Sequence, residues 1–339
     1  MGRSKELIRY CTTRLALLPV MLWMIATLVF ILLRVAPGDP IDAILGTRAT
    51  ELARELLREK LGLNLSITNQ YISFMRDLSQ GNLGESLVNQ EPVNSIVRNS
   101  LPATIELGIF SIVIAALLGL IIGFMGASKP ESNTDIAGRI YGIGTYAIPP
   151  FWAAMIAQLI FAVILGWLPI GGRFPPRLAQ PDITGFLILD SIIDKNLPAL
   201  MGTIKHLVLP SFTLGILLSG IFSRSLRLNL IKVLDSSYIE AARSRGIKEK
   251  DVLIKHALPN SLLPVLTIIG ITIASLIGGA LLIEVTFSWP GIALRLQEAI
   301  SQRDYTVVQG ITIVVAFLIV IISVIVDLII AIIDPRVSF

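Results

Sequence analysis

Leu15–Leu33, Ala103–Met125, Leu262–Ile283 and Val307–Ile333 hold between them two ionisable side chains, Glu106 and Asp327. Each stretch is about as long as an α-helix must be to cross some 30 Å of hydrocarbon. Hydrocarbon supplies no partner for a backbone N–H or C=O, so a chain that crosses it is confined to helices or closed barrels. Runs this long and this apolar select helices. Of 339 residues, 54% are hydrophobic and 15% charged, too few charges to cover a water-soluble surface. The net charge of +4 fits basic loops beside a membrane rather than a nucleic-acid site.

Arg3, Lys5, Arg9 and Arg14 precede the first apolar run. A basic start followed by an apolar stretch can be a secretion signal, but this one exceeds a signal core and no small-residue cleavage site follows. Residues 15–33 are therefore expected to be an uncleaved span behind a cytoplasmic segment, 1–14. Residues 34–102 form a long polar excursion. Within it, Thr50–Leu61 has Leu52, Leu56 and Leu61 on one helical face and Gly62 as a stop. A loop of that length is either a folded cap or a docking surface. The core, 103–339, is expected to contain spans at 103–125, 136–165, 206–223, 262–283 and 307–333.

Pro149-Pro150 sits inside the span expected at 136–165, the third along the chain. Proline removes backbone donors and bends or breaks a helix, which membranes tolerate where neighbours or a cavity satisfy the freed carbonyls. Tyr146, Pro149, Pro150 and Gln158 are thus candidates to line a pathway, with a packing kink as the alternative. The apolar piece Phe186–Ile193, interrupted by Asp190, is too short to span. Gly270, Ser275, Gly278 and Gly279 in the fifth span suit close contact with another helix or subunit. After it come Glu284, Phe287-Ser288-Trp289-Pro290-Gly291 and Arg303-Asp304-Tyr305. Trp289 and Tyr305 suit a membrane–water interface, and Asp304 suits the N-cap of the last span. Glu284, Trp289, Arg303 and Asp304 are candidate contacts to another subunit or to a binding protein.

Between the fourth and fifth spans lies a strongly charged stretch, Asp235–Asn260, within a loop at 224–259. Ser237 and Glu240 have the spacing of a capping box, and Gly246 suits the left-handed residue that ends a helix. A second run, Lys248–Leu258, is expected to stop at Pro259. The stretch reads as a short helix–turn–helix held between two spans, either a solvated connector or a lever. Glu240-Ala241-Ala242, Gly246 and Leu258-Pro259 resemble the EAA loop of ABC-importer permeases. The generic pattern has an apolar residue where His256 stands, and the run Lys-His-Ala-Leu-Pro-Asn is similar to the peptide and nickel branch. Pro37-Gly38-Asp39-Pro40, Leu101-Pro102-Ala103-Thr104, Phe287–Gly291, Arg303–Tyr305 and Asp334-Pro335-Arg336 extend the likeness along nearly the whole chain, in order. Together they resemble the first permease subunit of the dipeptide/oligopeptide/nickel importers.

That resemblance implies six transmembrane helices of the type I ABC importer kind, with a cytoplasmic coupling helix and a long external loop. Ser237, Glu240, Ala241, Ala242, Gly246, His256, Leu258 and Pro259 would contact a separate ATPase subunit. It further implies a second, similar permease, two ATPase subunits carrying ATP and Mg, an extracytoplasmic binding protein, and a bacterial inner membrane. Peptides are the implied cargo, with nickel chelates, glutathione or other small solutes as alternatives. The residues agree on energy supply. The chain has no G-x-x-x-x-G-K-[ST] phosphate loop, no nucleophile–base constellation and no metal-ligand spacing around His206 or His256. Cys11 is the only cysteine and cannot form an intrachain disulfide. An ion-coupled carrier would place acids near the bilayer midplane, whereas Glu106, Glu284 and Asp327 lie toward span ends. Of 28 Lys and Arg, 15 fall in the 70 residues expected to face the cytoplasm and 13 in the 132 expected outside. The bias places both termini in the cytoplasm.

Overall fold

The computed structural model describes residues 2–35, 41, 50–60 and 62–333. Pro37–Pro40 and Asp334–Arg336 lie outside the described residues. Among the described residues all regular secondary structure is helical, apart from one isolated bridge between Glu85 and Pro92. The long helices are α1 (Gly2–Val35), α4 (Val93–Ser128), α8 (Leu197–Leu234), α11 (Leu258–Gly279) and α14 (Tyr305–Ile333). Each is long and apolar enough to cross a membrane. Two short helices, α2 (Glu51–Lys60) and α3 (Ile67–Ser79), form a cap, and α3 packs on α1 through Phe30. The Phe30 ring stacks on Phe74 and meets Tyr71 edge-on.

A further apolar helix pair, long enough to cross if the two halves are taken together, is broken. Helix α5 (Asn133–Ala147) and helix α6 (Pro150–Ala157), which runs on as a π-helical stretch to Ile164, meet at 103°. The bend or break expected at Pro149-Pro150 within 136–165 is present as this sharply bent pair. Pro149 and Pro150 explain the break: the pyrrolidine ring at 150 excludes α geometry at 149, whose ψ is 135°.

Helix α8 holds the centre: 61% of its most apolar window is buried, against 11% for α14 and 17% for α1. Its principal neighbour is α4. The sequence shows why the two can approach. Ala115, Gly119, Gly123 and Ala127 recur every fourth residue on α4, as do Ser211, Gly215, Ser219 and Ser223 on α8; all eight are buried. A Cβ at Gly119 would stand 2.7 Å from the Ser219 carbonyl oxygen, and one at Gly123 2.6 Å from that of Ser223. Facing small-residue stripes let backbones touch where lipid offers no hydrophobic gain for larger side chains. The fifth span carries small residues too, Gly270, Ser275, Gly278 and Gly279. Of those, Gly270 faces Val326 of α14, so its close contact lies within the chain.

Both α4 and α8 outrun the expected spans. Val93–Leu101 is already helical inside the segment expected to be loop, and α8 extends to Leu234 before the charged stretch begins. Helices that project beyond the bilayer give the polar ends rigid stems. Replacing Gly123 with Leu is expected to lower stability by ~2 kcal/mol or more, since overpacking here meets backbone rather than a movable side chain. A reduced melting temperature in detergent would show it, with the lipid-facing Ile121→Leu change as a silent control.

Candidate functional site

Where α8 ends, the chain makes a compact hairpin. Helix α9 (Ser237–Ser244) is followed by Gly246 and then by α10 (Glu249–Asp251), a π-helical turn (Val252–Ala257) and α11 without interruption. Gly246 has φ +73°, and the two hydrogen bonds that close a Schellman motif are present. Its N–H donates to the Arg243 carbonyl at 2.9 Å and that of Ile247 to the Ala242 carbonyl at 3.3 Å. No atom lies within 4 Å of where its Cβ would be, so glycine is required by backbone conformation and not by space.

Arg243 fastens the two arms. Its guanidinium donates to both carboxylate oxygens of Glu249, at 2.7 and 3.1 Å, and to the Leu234 carbonyl at 3.4 Å. That hydrogen-bonded pair raises the Arg243 pKa and holds the Glu249 carboxyl below its usual range. Both side chains are roughly half exposed, so the pair contributes at most ~1 kcal/mol and its value is geometric. Beneath it, Ile239, Ala242, Val252 and Ala257 pack with Ala127 of α4 and Leu230 of α8. The hairpin is thereby seated on the ends of the two central helices.

Two expectations about this hairpin are corrected. The capping box does not form: Ser236 is the N-cap, its hydroxyl donates to the Val233 carbonyl, and Ser237 is already the first helical residue. Pro259 does not stop a helix either. It enters near the N-terminus of α11, and the π-turn before it follows an i→i+5 pattern that does not demand its missing N–H. The two alanines also differ. Ala242 is buried against the chain's own core, whereas Ala241 is exposed beside Ser237, Tyr238 and Glu240. His256 is half-buried, and its carbonyl accepts from Tyr238 and Asn260. Leu258 is half-buried and Pro259 exposed.

At the opposite end, three of the four candidate partner contacts are spent inside the chain. Glu284, on α12 (Leu281–Thr286), is buried and accepts from the Thr104 hydroxyl at 2.5 Å and the Leu294 N–H at 2.9 Å. Thr104 in turn accepts from the Ile292 N–H at 2.8 Å, so the two side chains cap helix α13 (Ile292–Ser301). A side chain at Gly291 would collide with the Glu284 carboxylate. Trp289 is fully buried rather than interfacial, donating to the Ala103 carbonyl at 2.9 Å. Asp304 caps α14 through the Val307 N–H and accepts from the Ser86 hydroxyl at 2.5 Å. Arg303 alone is exposed. A tryptophan or an acid near a span end suits an interface and a satisfied core equally, and the deciding partners stand some 180 residues upstream.

Sequence reasoning missed a second buried anchor. Arg173 reaches Glu106 at 2.8 and 3.2 Å and the Gly185 carbonyl at 2.8 Å, while Glu106 also accepts from the Ile188 N–H. Asp190, on the short helix α7 (Leu187–Ile193), is fully buried. Burial opposes its charge, but hydrogen bonds from Thr184, Ile183 and Gly185 outweigh this and keep its carboxyl below the usual range. Of the pathway candidates, Tyr146 and Pro149 are exposed and Pro150 half-buried. The Gln158 amide donates to the Ile170 and Thr286 carbonyls, which makes it an internal tie.

Residues 115–339 match the family model described as "Binding-protein-dependent transport system inner membrane component", and residues 7–108 match its N-terminal counterpart. The chain belongs to this family of membrane permeases. Similar proteins include a dipeptide transport system permease of Alkalihalophilus pseudofirmus, 40% identical across 98% of this chain and 100% of the relative. A di/tripeptide transport system permease of Pseudomonas aeruginosa is 34% identical, covering 98% and 99%. An oligopeptide transport system permease of Bacillus subtilis is 35% identical, covering 95% and 96%. The permease is therefore a multi-pass membrane protein built for transport.

The Glu284 cradle carries a direct test. Glu284→Gln puts an NH2 where only acceptors fit and should cost ~1–3 kcal/mol, the price of a buried donor left unmatched. Thermal melts of the purified permease should show the loss, while the exposed Glu55→Gln change leaves melting unaltered.

Proposed function

We propose that this permease is one half of the translocation pathway of a peptide importer and that the α9 hairpin is its power input. The supporting observation is the hairpin's two-sided construction. One face, with Ile239 and Ala242, is fused to the ends of α4 and α8; the other presents Ser237, Glu240 and Ala241 to solvent. A surface lever needs both a rigid seat and a smooth free face. The small Ala241 side chain lets a partner's backbone come close.

The chain carries no phosphate loop, so ATP and Mg belong to two separate ATPase subunits that grip the hairpin. The hairpin end then faces the cytoplasm together with both termini, and the α2–α3 cap faces the binding protein. A second, similar permease completes the pathway. Closure of the ATPase pair on ATP moves the hairpins, opens the pathway outward to receive cargo, and hydrolysis returns it inward. Ligand and nucleotide act by favouring different members of one two-state equilibrium. The names of the relatives support di- and oligopeptides as the cargo.

Two variants test the lever. Proline cannot adopt φ +73° and would remove the N–H that Arg243 accepts, so Gly246→Pro should misdirect the hairpin. Ala241→Trp adds bulk only to the free face. Both permeases should reach the membrane in normal amounts yet import radiolabelled tri-alanine at under about a tenth of the wild-type rate, a loss equivalent to ~1.4 kcal/mol of coupling. Uptake at the wild-type rate with unchanged ATP dependence would contradict the reading.

A further inference from the structure

Helix α5 is bound to α8 along its length, and the bond nearest the hairpin is ionic. Asp135, in the first turn of α5, is fully buried. Its two carboxylate oxygens accept from the Nε and Nη2 of Arg227 on α8, the latter at 2.8 Å. The Glu131 N–H donates to the same carboxylate at 3.1 Å, and Arg139 approaches it at 3.8 Å. Gly126 of α4 passes under this junction, where a Cβ would lie 3.3 Å from the Asp135 carboxylate. Farther along, the Tyr141 hydroxyl meets that of Ser219 at 2.5 Å, and Thr145 fills the space above Gly220.

Position gives the pair its meaning. Arg227 lies one helical turn before Leu230, which belongs to the apolar seat of the hairpin. A push on the hairpin is thus delivered to α8 one turn from Arg227. The other end of α5 is the 103° break, next to the exposed Tyr146. We infer that the Arg227–Asp135 ion pair is the joint through which the hairpin drags α5, so that movement at α9 is delivered to the broken span. Asp135 and Arg227 are positioning residues, acting through α5 and touching neither nucleotide nor cargo. The inference rests on the hairpin's being the power input.

Arg227→Ala is the informative variant. Asp135 keeps Arg139 and its backbone donor, so no buried charge is left alone and α5 remains anchored by Tyr141 and Thr145. The assembled transporter, with the ATPase subunits and in a Cys11→Ser permease, carries single reporter cysteines at Arg245 on the hairpin or Tyr146 at the break. Maleimide labelling rates are compared between the nucleotide-free and the ATP–vanadate-trapped complex. With Arg227 present, both reporters should change rate several-fold between the two states. In Arg227→Ala the Arg245→Cys change should persist and the Tyr146→Cys change should disappear; Arg227→Lys, which restores a cation, should bring it back. Arg227→Gln, which keeps a packed stem without the charge, serves as a second variant with the same expected loss. A Tyr146→Cys response that survives in either neutral variant overturns the joint. Loss of the Arg245→Cys response with Arg227 intact overturns the hairpin reading instead, and the inference with it.

Discussion

Contact between the backbones of α4 and α8 is the constraint on which the rest of the structure depends. In a membrane, helices gain little from burying leucine against leucine, because lipid is equally apolar. Glycine, alanine and serine every fourth residue remove the side chains that would otherwise hold the axes apart. Gly119 and Gly123 on one helix and Gly215 on the other admit nothing larger without a clash within 3 Å. Two long rods result, running together to the hairpin seated on their C-terminal ends. Several elements are fastened to them: α5 by Asp135–Arg227, the 166–196 segment by Glu106–Arg173, and the Phe287–Gly291 loop by Thr104 and Glu284.

These fasteners share a physical logic. Glu106, Asp135, Asp190, Glu284 and Asp304 are all buried, and each accepts hydrogen bonds that its burial would otherwise cost. Each joins segments that are distant in sequence or seals a turn. They act as bolts near the ends of the helices, complementing the close backbone contact that holds the middles of α4 and α8.

Much of this was legible in the sequence. Apolar run length pointed to a bundle of membrane-spanning helices, Pro149-Pro150 to the break, and Gly246 to the left-handed turn. Each depends on a local rule that a short window can express. The capping box failed because Ser236 and Ser237 are adjacent and only one can be the cap. The role of Trp289 failed because its hydrogen-bond acceptor, the Ala103 carbonyl, is 186 positions away. The α4–α8 stripe was readable in principle from the recurrence of small residues at every fourth position, but the pairing of two stripes is a fact of the fold. Arg173 gave no signal at all, being one arginine in a polar loop.

The central claim is that the exposed face of α9 receives force from a nucleotide-hydrolysing partner. The most direct test is a photo-cross-linking amino acid at Tyr238, which is exposed on that face, in membranes that also carry the proposed ATPase, second permease and binding protein. The account predicts an adduct with an ATPase subunit, formed in membranes and dependent on the partner's presence. An adduct with the extracytoplasmic binding protein, or with lipid alone, would contradict it.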